Sequence, residues 1–362
     1  GVPRRAWGEP SFFSARPEKT ILGRADRHFG LRTGFMRLRT GVAIDLGTVN
    51  TLIHITGQGL IIEEPSAIAI DRETGKVAAV GEVADALSGK DPQDVEVIHP
   101  LRNGVIADLD ASTAMLQAFV RRARLHRRML RSSAVVCVPS GATWVERRSL
   151  AASVEALRPR CAVRLVEEPV AAAAGAGIDL SAGSGAFIVD VGGGTTDAAV
   201  VAGGHLVRDR SLRVGGNAMD EAIVHAVKAE FGLLIGRNAA RSLKMILGLA
   251  DGAAEWVETV GIDSARRTPR VEHVPAWLVA SALEQPVGTI ADLVQEMMSD
   301  IPANLAEDVV RGKIRLAGGG ALLPGLASKI EAATGIPAAV VDDPLRCVVR
   351  GAAEILERGD GH

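Results

Sequence analysis

The run Phe187-Ile-Val-Asp-Val-Gly-Gly-Gly-Thr-Thr-Asp197 brings together residue types suited to holding a phosphate. An apolar, β-branched strand enters Asp190, turns through Gly192, Gly193 and Gly194, and returns past Thr195 and Thr196 as Ala-Ala-Val-Val. Three glycines let a backbone approach a ligand closely, and their N–H groups can converge on an anion. Thr195 and Thr196 add hydroxyl donors, and Asp190 is a hard oxygen ligand suited to Mg2+ through water. An ordinary Gly-rich hairpin has the same local grammar, so this stretch by itself leaves the two readings nearly even.

Two more turns shift that balance. Gly41-Val-Ala-Ile-Asp-Leu-Gly-Thr-Val-Asn-Thr-Leu52 repeats the pattern with Asp45, Gly47, Thr48 and Asn50. Two such hairpins suggest two similar half-domains facing one nucleotide across a cleft. A third turn, with Gly318, Gly319 and Gly320, follows the strand-like run Ile314-Arg-Leu-Ala. One Gly-rich turn is a weak signal, and three in this order are a strong one. In Leu165-Val-Glu-Glu-Pro-Val-Ala-Ala-Ala-Ala-Gly175, the proline and the alanine run predict a helix that begins beside Glu168. An acidic first turn favoured by the helix dipole explains Glu168 equally well at this level. Gly215-Gly216 opens another predicted helix, whose first amides are positioned to meet a phosphate.

The intervening segments read as the elements that hold these turns. Residues 57–81 alternate strand-like runs with turns, and 134–139 is a buried-type strand. The spacing predicts helices over 111–131 (rich in arginine), over 143–157 capped by Ser140 or Thr143, from about Val287 to Asp300, and over 347–357. Residues 253–273 read as strands and turns of a small subdomain. The composition is that of a globular protein, with 47% hydrophobic and 23% charged residues and no apolar run long enough to span a bilayer. A formal charge of −2 argues against a global nucleic-acid binder. Cys137, Cys161 and Cys347 lack metal-ligand spacing and read as buried thiols, and the histidines show no paired spacing that suggests zinc.

The order Asp-Leu-Gly-Thr, Glu-Glu-Pro, Asp-x-Gly-Gly-Gly-Thr-Thr and Ala-Gly-Gly-Gly-Ala resembles the actin, sugar-kinase and heat-shock-chaperone ATPase superfamily. Within it the chain is most similar to the MreB-type bacterial actins, the rod-shape-determining family, from about Gly41 to Leu356. Stretches outside the turns carry the resemblance too: Asn103-Gly-Val-Ile-Ala-Asp108, Cys137-Val-Pro-Ser-Gly141, Gly215-Gly-Asn-Ala-Met-Asp-Glu-Ala222 and Asp342-Asp-Pro-Leu345. The resemblance implies an α/β fold of two actin-like (ribonuclease H-like) domains facing across a nucleotide cleft, each with a small subdomain. It places residues 41–182 and 345–362 in the first domain and 183–344 in the second. Residues 1–40 form a basic arm, either a segment that touches an anionic membrane or an extension ahead of a start at Met36.

The implied ligands are ATP and Mg2+. Asp45 and Asp190 are then the metal-organising carboxylates. Glu168, with Asp190, belongs to the catalytic set, with Glu168 orienting the attacking water. The nucleotide lies against Gly47, Thr48, Asn50, Gly192, Gly193, Gly194, Thr195, Gly216, Lys244, Gly318, Gly319 and Gly320. The implied activity is slow Mg2+-dependent ATP hydrolysis coupled to self-assembly into filaments. These would lie in the cytoplasm at the inner face of the membrane, with cell-wall synthesis or morphogenesis proteins as partners and no nucleic acid. A non-polymerising nucleotide-binding regulator and a small-molecule kinase are the alternatives. The chain departs from the family at Asn217, Arg241 and Ile246, where carboxylates are expected. That departure implies weaker and less base-selective binding on the nucleoside side.

Overall fold

The computed structural model describes residues 41–90, 93–123, 133–157, 162–249 and 254–359. The basic arm of residues 1–40, the arginines at 124, 127, 128 and 131 with His126, and Cys161 lie outside the described residues.

Val42–Leu46, Asn50–Ile55 and Gly59–Pro65 are consecutive antiparallel strands. Ser133–Val138 then adds parallel to Val42–Leu46, and Ala162–Glu167 adds parallel to Ser133–Val138. The second half repeats this order. Ala186–Val191, Thr196–Ala202 and His205–Leu212 form the antiparallel trio, and Ile314–Ala317 and Ala338–Val340 extend it in parallel. The result is two five-stranded sheets of identical topology. A three-stranded antiparallel sheet accompanies each half. One is built from Ile68–Asp71, Val77–Val80 and Val95–Ile98; the other from Leu233–Leu234, Trp256–Asp263 and Pro269–Pro275.

Side-chain alternation divides the core into three layers, because successive residues of a strand point to opposite faces. Val42, Ile44 and Leu46 join one outer core, and Phe187, Val189 and Val191 join the other. Ala43, Ile188, Ala199 and Ala317 point the other way, into a middle layer shared by both sheets. That layer holds two helices, Glu168–Gly175 and Cys347–Gly359. Pro169 through Gly175 are all buried, as expected of a helix apolar on every side. The two helices cross where each has a glycine. A Cβ on Gly175 would collide with the carbonyl of Cys347, and one on Gly351 with the carbonyl of Ala171. Cys137 and Cys347 are buried free thiols of this layer, as their apolar surroundings predict.

Some boundaries differ from the sequence reading. The arginine-rich helix spans Leu109–Arg122, with the Asp108 side chain accepting from the Ala111 amide at 2.9 Å. The following helix spans Trp144–Glu155, and Thr143, not Ser140, is its cap through a reciprocal capping box with Glu146. The helix expected from about Val287 begins at Ala276 and carries Pro286 in its interior. Leu278, Leu283, Pro286, Val287, Ile290 and Val294 are all buried at helical spacing. Burial of several such side chains, each about 1.5–3 kcal/mol, outweighs the roughly 3 kcal/mol penalty of an interior proline.

Candidate functional site

The alternation that sorts the core also aims the carboxylates. Asp45 shares the inward face of its strand with Ala43, and Asp190 shares the inward face of its strand with Ile188. Both therefore emerge, at the ends of their strands, towards the layer in which Glu168 begins its helix. A cavity of about 290 Å3 opens there. It brings together Asp45, Gly47, Thr48, Asn50, Glu168, Asp190, residues 192–195, Gly216, Lys244 and residues 318–320, as expected from the sequence.

The two hairpin turns close alike. The Gly47 amide donates to the Asn50 carbonyl at 3.0 Å, and the Gly192 amide to the Thr195 carbonyl at 2.8 Å. Their tips meet. A Cβ on Gly193 would collide with the Val49 side chain, and one on Gly194 would stand 2.6 Å from Thr48 Oγ1. Gly318 has φ +79°, and a Cβ there would collide with Asp190 Oδ1. These glycines are what a close approach of three backbone turns requires.

Three expectations change in detail. Thr196, expected to offer a hydroxyl to the ligand, donates instead to the Val214 carbonyl at 2.8 Å. The first amides of the helix Gly216–Phe231 are not free. Gly216 and Asn217 donate to the carbonyls of Gly192 and Gly193 at 3.0 and 2.8 Å, docking the helix on the turn. The nucleoside side is not devoid of carboxylate either. Asp220 is 1% exposed and lines the cavity, with Lys244 Nζ 2.7 Å from its Oδ1. Lys244 Nζ also donates to the Gly216 carbonyl at 2.9 Å. Arg241 is a cavity residue, whereas Ile246 is half exposed and does not line the cavity.

The electrostatics are those of a site prepared for positive charge. Burial raises Asp45 to about 7, and burial with the neighbouring Asp197 and Asp45 raises Asp190 to about 8. Glu168 is pushed well above the usual range by burial first, then by Asp197, Asp45 and Asp190. Asp190 Oδ1 and Asp197 Oδ2 are buried without a hydrogen-bond partner among the described residues. Buried acceptors of this kind are costly unless something satisfies them. Among the described residues no three metal-ligating side chains converge, so Asp45 and Asp190 offer a partial shell. That suits Mg2+, which keeps waters and takes phosphate oxygens as its other ligands. The orphaned oxygen of Asp190, the glycine cradle around it and the surplus of buried acid all fit a metal–phosphate group.

Asp197 and Asp220 are the residues that sequence reasoning left without a role. Asp197 is 1% exposed, and its Oδ1 accepts from both the amide and the hydroxyl of Ser140 at 2.9 Å. The pair ties the first half to the second hairpin. Glu167 turns away from the cavity to Arg147, at 2.9 Å, which leaves Glu168 as the carboxylate at the cleft.

The family model for MreB/Mbl protein matches residues 39–361. The chain belongs to the MreB/Mbl family. The cell shape-determining protein MreB of Escherichia coli is 40% identical over 328 residues, covering 89% of this chain and 94% of that one. The cell shape-determining protein Mbl of Bacillus subtilis is 35% identical over 321 residues, covering 88% and 96%. Among solved structures, MreB 5 of Spiroplasma citri bound to AMPPNP superposes with a TM-score of 0.83 at 31% identity, covering 89% of this chain and 97% of that one. A MamK double helical filament, at 22% identity and a TM-score of 0.74, shares the fold. The MreB/Mbl chain described here thus has the actin-like fold, with its sheets, middle helices and three turns in the expected order. None of its described helices is long and apolar enough to cross a membrane.

Proposed function

We propose that this chain is an MreB-like cytoskeletal ATPase whose filaments organise cell-wall synthesis and cell shape. The observation that carries the reading is the placement of Asp45 and Asp190 on facing inner strand faces, with Glu168 at the start of the helix between them. Asp45 and Asp190 would hold Mg2+, and the glycines of the three turns, with Thr48, Thr195 and Lys244, would hold the nucleotide. Bound Mg2+ supplies neutralisation of the charge that develops on the transferred phosphoryl group. Glu168 orients a water and accepts its proton. Burial, then Asp197, Asp45 and Asp190, raise its proton affinity, so it must be ionised before it can take a proton from the water. The division into halves near residue 182, with the closing helix returning to the first sheet, belongs to the same reading. That helix packs on Val42–Leu46, on Ser133–Val138 and on the helix that begins at Glu168.

Head-to-tail contacts that do not close generate open polymers. ATP-favoured filaments lying against the inner face of the membrane, in contact with morphogenesis proteins, complete the proposal. The bound nucleotides named for the Spiroplasma citri relatives, AMPPNP and ADP, support the choice of ligand. Sedimentation of the purified chain with Mg2+ and ATP, with ADP, and without nucleotide tests it, with lipid vesicles as an added arm. The expected result is ATP-dependent pelleting. A chain that binds ATP and stays monomeric at high concentration, with and without lipid, would move the reading to a nucleotide-binding regulator.

A further inference from the structure

The cavity between the turns continues into a wider cleft of about 850 Å3. Both chambers share the walls formed by Thr48, Asn50, Gly193, Gly194 and Asn217, and Arg241 is the one charged side chain, among the described residues, that lines both. The outer chamber is cationic: Arg102, Arg213, Arg237 and Arg241 line it against Asp85 and Glu221. Burial and the charges of Arg237 and Arg102 hold His99 below its ordinary value, which sets both guanidiniums near that imidazole in the chamber wall.

Arg241 is poorly partnered for an arginine in such a position. Its Nε stands 3.7 Å from Asp220 Oδ2, while Lys244 Nζ holds the same carboxylate at 2.7 Å. Lys244 is buried and Arg241 is 41% exposed, so Lys244 has the prior claim on Asp220 and the guanidinium keeps donors to spare. Arg237, one turn earlier on the helix Arg237–Leu247, is ion-paired among the described residues to the exposed Glu221 at 3.8 Å. That helix has no acidic residue in its first turn, so its positive end adds to the same field.

The chemistry of this wall differs from one that reads bare ribose hydroxyls. A carboxylate accepts hydrogen bonds from ribose hydroxyls and repels a phosphate there. An arginine does the reverse, and its planar fork matches a phosphate in two bonds. We propose that the site accepts nucleotides whose ribose carries a phosphate. The inner chamber takes the 5′-phosphates, and Arg241, backed by Arg237, takes the phosphate on the ribose. This rests on the nucleotide reading above and adds to it a class of ligand.

The test is a calorimetric titration of the full chain, in Mg2+ at fixed ionic strength, with ATP, AMP, adenosine 2′,5′-bisphosphate and adenosine 3′,5′-bisphosphate. One of the two bisphosphates is expected to bind about tenfold or more tighter than AMP, the gain usual for a charge-assisted pair. Arg241→Glu should abolish that advantage and Arg237→Glu should reduce it. Arg241→Gln serves as the uncharged control, and circular dichroism confirms that each variant is folded. Bisphosphates no better than AMP in a chain that binds ATP would overturn this proposal alone. So would an advantage that survives Arg241→Glu, or an equal gain for AMP on adding inorganic phosphate, which would show a free-anion site. A chain that binds no ATP would overturn the nucleotide reading, and this proposal with it.

Discussion

The two hairpins share a strand order and a turn closure, yet they are held in place by different means. The first, at Asp45, is braced by hydroxyls. Ser66 Oγ donates to the Gly47 carbonyl at 2.7 Å, and Thr48 Oγ1 accepts from the Gly104 amide at 2.8 Å. Asp45 itself is half buried. The second, at Asp190, is braced by backbone: the helix start at Gly215–Gly216 sits on its carbonyls, and Gly318 passes against its carboxylate. Asp190 is 6% exposed. One turn is thus a side-chain assembly at the edge of the cleft, and the other a close-packed floor without room for a Cβ. Duplicated topology has been filled by two different solutions to holding a carboxylate beside a glycine turn.

If chemistry belongs to neither hairpin but to the helix between them, the largest effect falls on Glu168. Glu168→Ala should lower ATP turnover by roughly 100- to 10,000-fold, the range for a lost general base. Nucleotide affinity, measured in the same samples, should stay close to that of the parent. Equal phosphate release from the two proteins would remove Glu168 from the reaction.

The contrast in bracing predicts unequal tolerance of one added methyl group. Gly318→Ala combines a positive φ with a collision at Asp190, and should destabilise the fold by about 2–4 kcal/mol. Gly47→Ala places its Cβ 2.8 Å from the Asn50 carbonyl without a positive φ. It should destabilise by about 1–2 kcal/mol. Urea unfolding measures both, and equal losses would erase the distinction between floor and edge.

Acidity sharpens the comparison further. The folded chain holds Asp45 and Asp190 protonated to about 7 and about 8, whereas the unfolded chain releases those protons near pH 4. The folded state therefore binds more protons in between, and its stability falls as pH rises through that window. Burial lowers His54 and His99, which act in the opposite sense at lower pH, so the clean range is about pH 6.5 to 8.5. In chelator, Tm should decline across it. Asp190→Asn should flatten the decline more than Asp45→Asn does, and a parent Tm that rises with pH would contradict the assignment. The smallest effect belongs to the exposed tie between halves, Arg213 to Glu146 at 2.9 Å. Arg213→Ala should change stability by no more than about 1 kcal/mol.

What was legible in the sequence is what is local. Asp, Gly and Thr at a strand end announce the first two turns whatever lies around them, and a run of three glycines announces the third. Proline and alanine after Glu168 announced the helix that carries it. Asp197 and Asp220 stayed silent because their meaning depends on partners distant in the chain, Ser140 for one and Lys244 for the other. The docking of Gly216 and Asn217 on the second turn is likewise a tertiary fact, and it converts apparently free amides into structural ones. Pro286 misled for the opposite reason: a strong local signal was overridden by the buried face that runs through it. Ile246 shows that a residue can depart from the family pattern beside the site and yet not line it.

The central claim is that the two unlike turns hold one metal-bound triphosphate between them. Calorimetric titration of ATP into the parent, with Mg2+ and then with chelator, tests it most directly when repeated on Asp45→Asn and Asp190→Asn. A single site per chain is expected in the parent. Affinity should fall when Mg2+ is removed, and most of that Mg2+ dependence should be lost in either variant. ATP binding that is indifferent to Mg2+, or that keeps its full Mg2+ dependence in both variants, would contradict it.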